Sequence, residues 1–255
     1  MSEGSPAHGS STRGPQLRTL EIADSPGSWR AGGFNVDAEG VCVLGSTAIR
    51  LTSGNGGFRS WSFDGIGVNV SEIDGLTVDG SAETAVATSD AATDGTAHAI
   101  DGPTPSQQPN LDPHPRPHPN PEPHPNGIAS IDHIVIRSGN CERTIAALEA
   151  AGFPRRGGRT TTSGGFPAAQ SFFWAGDVIL ELVGPDVGEP VTDEATSIFG
   201  LALVAPDLES TARSLGELLG KPKPAVQTGR KIAGFRTRAV GMSLPIAVMS
   251  PHPTA

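Results

Sequence analysis

The sequence predicts an α+β fold, and three observations support this prediction. The apolar segment that opens at Ser130-Ile131 recurs 67 residues later at Ser197-Ile198. Each copy runs from an alternating, strand-like stretch into an amphipathic stretch of helical period. Each copy then ends in short apolar runs separated by glycines, the last of which read VILELVGP and LPIAVMSP. The order βαβββ therefore occurs twice, over residues 128–253, and we expect one domain built from the two modules.

The elements of the first module follow from local signals. A strand is predicted over Ile131–Arg137, and Asn140 is a suitable N-cap for the helix that follows. Three further strands are predicted at 155–162, Ala169–Ala175 and Val178–Val183. We expect the sheet to be mixed and curled around a cavity, with the helices outside.

The second module has the same signals. Asp207 is an N-cap candidate after a strand over Ile198–Ala205, and strands are predicted at about 224–227, Lys231–Val240 and Leu244–Met249.

Residues 16–80 are predicted to form a truncated copy of the same module. A strand, a short helix and a Gly-Phe pair are followed by strands over Val41–Leu44 and Thr47–Thr52, and the alternating RSWSFDGI stretch at 59–66 is consistent with one more strand.

Two segments are predicted to be disordered. One is the polar tail 1–15, and the other is a linker over 81–127, which holds ten of the 23 prolines and a charge of −5 from six acids and one Arg. Proline at every second position from Pro113 to Pro125 removes backbone donors and excludes helix and sheet. The histidines of this linker (His114, His118 and His124 among them) are interpreted as part of a spacer rather than as a metal site.

Composition excludes several classes of protein. A net charge of −9 argues against nucleic-acid binding through a general basic field. No apolar run reaches the length of a membrane span, and the polar N-terminus lacks the apolar core of a secretory signal, so we expect a cytoplasmic protein. The absence of Tyr, the few lysines and the many Ala, Gly and Arg residues are typical of a GC-rich bacterium. We expect a monomer or homodimer.

The paired modules, with DHIVI in the first strand and ILELVGP in the last, resemble the vicinal oxygen chelate superfamily. This superfamily includes glyoxalase I, extradiol dioxygenases and bleomycin-resistance proteins. The resemblance implies a metal ligand from a His on the first strand and a Glu on the last, which here are His133 and Glu181, 48 residues apart.

The ligand set implied by the resemblance is incomplete. The corresponding positions are Gly200 and Ala247 in the second module, and about Thr19 and Arg50 in the N-terminal copy. A catalytic zinc or iron ion needs three protein ligands with an open position. No cofactor is therefore assigned, and a divalent ion (zinc, nickel or iron) would require Gln170 or His252 as a further donor.

Candidate site residues follow from strand alternation. His133 and Glu181 are predicted to meet in the cavity as a general acid/base pair, or as the two remaining metal ligands. Ligand contacts are assigned to Gln170, Arg230 and the aromatic run Phe172, Phe173 and Trp174.

Two classes of function remain open for such a site. One is an enzyme of lyase, isomerase or dioxygenase type that uses His133 and Glu181. The other is a non-catalytic protein of the bleomycin-resistance kind that binds or sequesters a small organic molecule.

Overall fold

The computed structural model describes residues 14–67, 69–80, 122–163, 166–186, 189 and 191–253. Two β-sheets and three α-helices are the main elements within these ranges. The predicted tail lies outside these ranges except for its last two residues, and so does the predicted linker except for residues 122–127. The described residues belong to one compact unit. No helix of the described residues is long and apolar enough to cross a membrane.

The N-terminal block forms a four-stranded sheet of order β2-β3-β1-β4. Its elements are β1 (Gln16–Ile22), α1 (Pro26–Ala31), β2 (Val41–Leu44), β3 (Thr47–Leu51) and β4 (Phe58–Asp64), followed by the hairpin β5 (Glu72–Ile73) and β6 (Leu76–Thr77). β3 runs parallel to β1, and β4 runs antiparallel to β1 on its other side.

The C-terminal block forms an eight-stranded sheet of order β12-β13-β14-β11-β7-β10-β9-β8. Its first module comprises β7 (Ser130–Arg137), α2 (Cys141–Ala150), β8 (Arg155–Ser163), β9 (Phe166–Ala175) and β10 (Val178–Pro185). Its second module comprises β11 (Ser197–Val204), α3 (Leu208–Leu215), β12 (Lys223–Pro224), β13 (Lys231–Phe235) and β14 (Ile246–Met249). The α+β class and the repeated βαβββ order are therefore confirmed.

The two modules are related by the same pairing. In each one the last strand lies parallel to the first, β10 against β7 and β14 against β11. The first strands β7 and β11 pair antiparallel and join the modules into one sheet. In the N-terminal block β4 lies against β1 as β11 lies against β7, so β4 corresponds to the opening strand of a following module.

Predicted and observed elements differ in the second module. The strand predicted over Lys231–Val240 ends at Phe235, and Thr237–Val240 forms a 3₁₀ turn closed by Gly241 at a φ of 77°. The helix ends at Leu215, where Gly216 follows with a φ of 54°. The 3₁₀ turn and the helix therefore each end at a glycine, which adopts positive φ without the steric penalty that a Cβ brings.

A single hydrophobic core joins the two blocks. The ring of Phe63 on β4 packs edge-on against that of Phe153, which follows α2, and the two ring centroids are 4.9 Å apart. The ring of Phe34, which follows α1, lies 6.4 Å from that of Phe235 on β13. Both pairs are buried, so the N-terminal block covers apolar surface that the C-terminal block would otherwise expose to water.

Candidate functional site

A β-bulge in the first strand of the first module shapes the candidate site. Along β7, Ile131 lies opposite Leu203 of β11 and His133 lies opposite Ala202, so Asp132 has no partner in the ladder. An extra residue of this kind interrupts the alternation of side chains between the two faces. The carboxylate of Asp132 consequently reaches the ring of His133, with Oδ2 2.8 Å from Nδ1.

His133 and Glu181 meet, as the sequence predicted. The two residues stand on the neighbouring parallel strands β7 and β10, where Glu181 lies opposite Val135. His133 Nε2 is 3.4 Å from Glu181 Oε2, and the two side chains are 13% and 12% exposed. The imidazole thus has a carboxylate at each ring nitrogen, close at Nδ1 and more distant at Nε2.

A chain of hydrogen bonds continues from Glu181 across β9 to β8. Gln170 Nε2 donates to Glu181 Oε1 at 2.6 Å, and Arg159 Nε donates to Gln170 Oε1 at 2.5 Å. The Arg159 guanidinium also lies 5.6 Å from the centroid of the Phe172 ring. Gln170 therefore supports Glu181 directly, and the exposed Arg159 brings a positive charge to this side of the sheet.

Arg230 joins the site from the second module. It immediately precedes β13, and its side chain is only 1% exposed. Its NH2 nitrogen lies 2.7 Å from Asp132 Oδ1, its Nε donates to the Ser250 carbonyl at 2.8 Å, and its NH1 lies 3.0 Å from His252 Nε2. Arg230 was predicted to contact a ligand, but its guanidinium faces Asp132 and the C-terminal residues.

The pKa of Asp132 reflects these contacts. Burial alone raises the pKa of this carboxyl, because desolvation disfavours the charged form. The hydrogen bonds and charges of His133 and Arg230 outweigh the burial and lower the pKa to about 2. Asp132 is therefore ionised throughout the physiological pH range.

The predicted aromatic residues divide between the two faces of the sheet. Phe172 lies opposite Glu181, and Trp174 lies opposite Ile179 on the strand that also carries Glu181. Trp174 is 47% exposed, whereas Phe173 between them is fully buried on the other face. The assignment of Phe173 to the ligand-binding wall is therefore wrong, since successive residues of a strand point to opposite faces.

The donor set does not fit the metal centre that the resemblance implies. Only His133 and Glu181 supply donors at the expected positions, because Gly200 and Ala247 have none. The Gln170 amide is occupied by its hydrogen bonds, and His252 lies at Asp132, 3.8 Å from Oδ1. Within the described part of the chain, no group of three or more His, Cys, Asp or Glu residues could hold a metal ion.

An open groove in the described part of the chain lies away from this pair. A groove of about 310 Å³ is found where β13 ends and β14 begins, and it includes neither His133 nor Glu181. Its lining residues are Phe235, Arg236, Thr237, Arg238, Ala239, Ser243, Pro245 and Ile246.

The two cysteines do not contribute a reactive group. Burial and the charge of Asp37 raise the pKa of the Cys42 thiol to about 12. Burial also raises the pKa of Cys141, although the charge of Arg155 opposes the effect. Both thiols are protonated at neutral pH, and a protonated thiol is a poor nucleophile.

Asp132 is the site residue that sequence reasoning missed. Strict alternation places it on the face opposite His133, and only the unequal pairing of β7 with β11 reverses that placement. The available signal was an acidic residue directly before a candidate His in an otherwise apolar strand.

A scan of protein-family models and a search of curated proteins each find no match. Among solved structures, a triple mutant of 4-hydroxymandelate synthase from Streptomyces coelicolor aligns over 95% of this chain and 94% of its own, with a TM-score of 0.58 and 13% identity. This likeness extends over both blocks.

Two other solved structures also match. Methylmalonyl-CoA epimerase from Mycobacterium tuberculosis aligns over 50% of this chain and 91% of its own, with a TM-score of 0.39 and 14% identity. A xylose isomerase-like TIM barrel/4-hydroxyphenylpyruvate dioxygenase fusion protein aligns over 96% of this chain and 50% of its own, with a TM-score of 0.49 and 10% identity. The likeness to 4-hydroxymandelate synthase shows a shared fold, which is the paired βαβββ fold expected from the resemblance to the vicinal oxygen chelate superfamily.

Proposed function

We propose that this protein binds a small organic carbonyl compound at the sheet face around His133 and Glu181, and that His133 transfers a proton to and from the bound molecule. The observation that carries the proposal is the placement of the His133 ring. Asp132 holds Nδ1 at 2.8 Å, so Nε2 points to the side where Glu181 lies.

The chemistry follows from the two carboxylates. A carboxylate at Nδ1 favours the tautomer with a proton on Nδ1, which leaves the Nε2 lone pair available as a base. When Nε2 takes a proton from the carbon next to a carbonyl group, the electron pair stays on the ligand as an enolate. Glu181, 3.4 Å from Nε2, stabilises the imidazolium that forms.

The surroundings indicate the kind of ligand. Phe172 and the half-exposed Trp174 offer apolar surface beside the polar pair. Arg159 adds positive charge where an enolate oxygen or a carboxylate would be stabilised. We therefore expect a compound with an apolar or aromatic body and a carbonyl group, and a reaction of isomerase or lyase type. Dioxygenase chemistry is not proposed, because the donor set does not fit its metal.

The alternative is binding without chemistry, as in the sequestering proteins of this superfamily. It is favoured by the internal hydrogen bonds of Gln170 and Glu181, which leave these side chains fewer free positions for catalysis. The two functions differ in one measurable respect, which is whether the bound molecule exchanges a carbon-bound proton.

Trp174 makes the binding step measurable. Trp29 and Trp61 are fully buried, so quenching of tryptophan fluorescence by iodide reports mainly on Trp174. A panel of small keto acids and aromatic carbonyl compounds should contain members that protect Trp174 from iodide. The Trp174→Phe variant is the control, and it should show no protection.

The chemical step is tested with the compounds that bind. In D₂O, proton NMR should show loss of the signal from the carbon next to the carbonyl in the presence of the protein. Loss should stop with His133→Gln and continue with Lys223→Gln, a change at an exposed residue of β12. Exchange that persists in His133→Gln would refute the proposed base, and binding with no exchange in the parent protein would establish the sequestering alternative.

A further inference from the structure

We propose that Arg230 is a positioning residue, which fixes the orientation of Asp132 and thereby the tautomer of His133. The second module would then contribute to the site even though its own ligand positions, Gly200 and Ala247, have no donor groups. The use of His133 as a base rests on the function proposed above, but the positioning itself does not.

The hydrogen bonds of the Arg230 guanidinium fix its orientation. Arginine carries only donors, and its three contacts are all with acceptors: Asp132 Oδ1, the Ser250 carbonyl and His252 Nε2. The Ser250 carbonyl fixes the Nε edge of the group, so NH2 is held in place to bind Oδ1. The other oxygen of Asp132 is thereby turned to His133 Nδ1 at 2.8 Å.

A role in stability alone does not account for this arrangement. Buried ion pairs are often no more stabilising than well-packed apolar residues of similar volume, because both charges lose their hydration. The Asp132 carboxylate is 6% exposed and the Arg230 side chain 1% exposed, so both are desolvated. An apolar pair could not provide a hydrogen-bond acceptor for His133 Nδ1. Asp132 provides one because the β-bulge places its carboxylate beside the His133 ring.

The inference predicts a specific effect of replacing Asp132 with its neutral isostere. In Asp132→Asn, Arg230 can accept no hydrogen bond, so the amide oxygen must face it and the amide NH₂ must face His133. Nδ1 then has to act as the acceptor, and the proton of the neutral ring moves to Nε2. The tautomer of His133 is thus expected to invert in this variant.

Nitrogen-15 NMR of the imidazole rings at alkaline pH measures the tautomer directly, since protonated and unprotonated ring nitrogens have very different chemical shifts. The His133 signals are assigned by their absence in His133→Gln. We expect Nδ1–H in the parent protein and Nε2–H in Asp132→Asn. In Asp132→Asn/Arg230→Gln, the amide is free to turn, and a mixture of the two tautomers is expected.

Two variants separate positioning from general disturbance. Arg230→Lys keeps a buried donor for Asp132 and should retain Nδ1–H, whereas Lys231→Gln removes a neighbouring exposed charge and should leave the tautomer unchanged. Near-ultraviolet circular dichroism checks that each variant is folded.

Several outcomes would overturn the inference. They are Nε2–H in the parent protein, an unchanged tautomer in Asp132→Asn, or a complete inversion that persists in the double variant. The first outcome would overturn the inference even where a variant fails to fold. None of these readouts requires a ligand, so a failure of the proposed function would appear separately, as absent deuterium exchange.

Discussion

At the scale of single residues, His124 is held in its neutral form. Its Nδ1 accepts a hydrogen bond from the Asn35 backbone N–H at 2.9 Å, and its Nε2 lies 3.0 Å from the Val43 carbonyl. The first contact needs an unprotonated Nδ1, and the second needs a proton on Nε2. Burial lowers the pKa of His124, although the bond to Val43 opposes the effect.

Acid should therefore destabilise the protein through His124. The unfolded chain takes up this proton near pH 6.5, and the folded chain does so only at a lower pH, so the contribution to stability is lost as pH falls below about 6.5. His124→Gln can make both hydrogen bonds and does not titrate. Urea unfolding at several pH values should show the parent losing stability relative to His124→Gln between about pH 7 and pH 5. Parallel curves for the two proteins would contradict this.

The surroundings of His133 could be predicted from the sequence only in part. Alternation along DHIVI correctly brought His133 towards Glu181, because the two strands are regular on that side. The bulge at Asp132 arises from pairing with β11, 67 residues away, and no local property of the sequence specifies it. The hydrogen bond from Arg230 to Asp132 likewise joins residues that are far apart in the sequence. Neither the orientation of Asp132 nor its contact with Arg230 could therefore be predicted.

At the scale of elements, the bulge is a repeated feature of the fold. In β1, Leu17 lies opposite Phe63 and Thr19 lies opposite Ser62, which leaves Arg18 unpaired as Asp132 is in β7. In β11 the unpaired residue is Phe199. Each first strand thus has its irregularity just before the position that corresponds to His133. The three modules share this backbone geometry but have different unpaired residues, namely Arg18, Asp132 and Phe199. Only Asp132 provides a carboxylate at this position.

The β5–β6 hairpin connects the N-terminal block to α2. Its turn is formed by Asp74 and Gly75, both at positive φ (48° and 84°), as two-residue hairpin turns of this kind require. Asp74 Oδ1 accepts from Arg143 Nε at 2.6 Å, and Oδ2 accepts from the hydroxyls of Thr144 and Thr196. Burial raises the pKa of Asp74, but these hydrogen bonds and the charge of Arg143 outweigh it and lower the pKa.

Removing the charge of Asp74 should weaken this connection. Asn also tolerates positive φ, so Asp74→Asn keeps the turn and loses the charge-assisted bonds, at a cost of about 1–3 kcal/mol in the free energy of unfolding. Urea unfolding at neutral pH measures this cost. Glu72→Gln, an exposed change on the same hairpin, is the control and should have little effect. Equal stability of the two variants would show that the hairpin contacts contribute nothing.

At the scale of the whole molecule, the two blocks are joined by buried polar contacts as well as by the aromatic core. Asp24 of the N-terminal block is buried, accepts from Trp29 Nε1 at 3.0 Å, and accepts from the backbone N–H of Ser243 at 3.1 Å. Asn126 donates to the Gly32 carbonyl at 2.9 Å. The sequence predicted the two blocks separately, and it contained no signal for their docking because these partners are far apart along the chain.

The buried contacts between the two blocks determine the expected result of limited proteolysis. The proline-rich and apolar-poor composition of 81–121 predicts that a protease will cut there first. The two products should then stay together, because separating them would expose the Phe63–Phe153 contact and leave Asp24 without its partner across the interface. Size-exclusion chromatography of the nicked protein should give one peak that contains both fragments.

The unfolding of the nicked protein extends this test. The blocks share one core, so the nicked pair should unfold in a single cooperative transition whose midpoint rises with protein concentration, because unfolding now also separates two chains. A variant with a protease site inserted after Gln107 gives a defined nick, and the uncut variant is its control. Two separate transitions, or fragments that elute apart, would show that the blocks are independent domains. Cuts made first within 128–253 would place the boundary elsewhere.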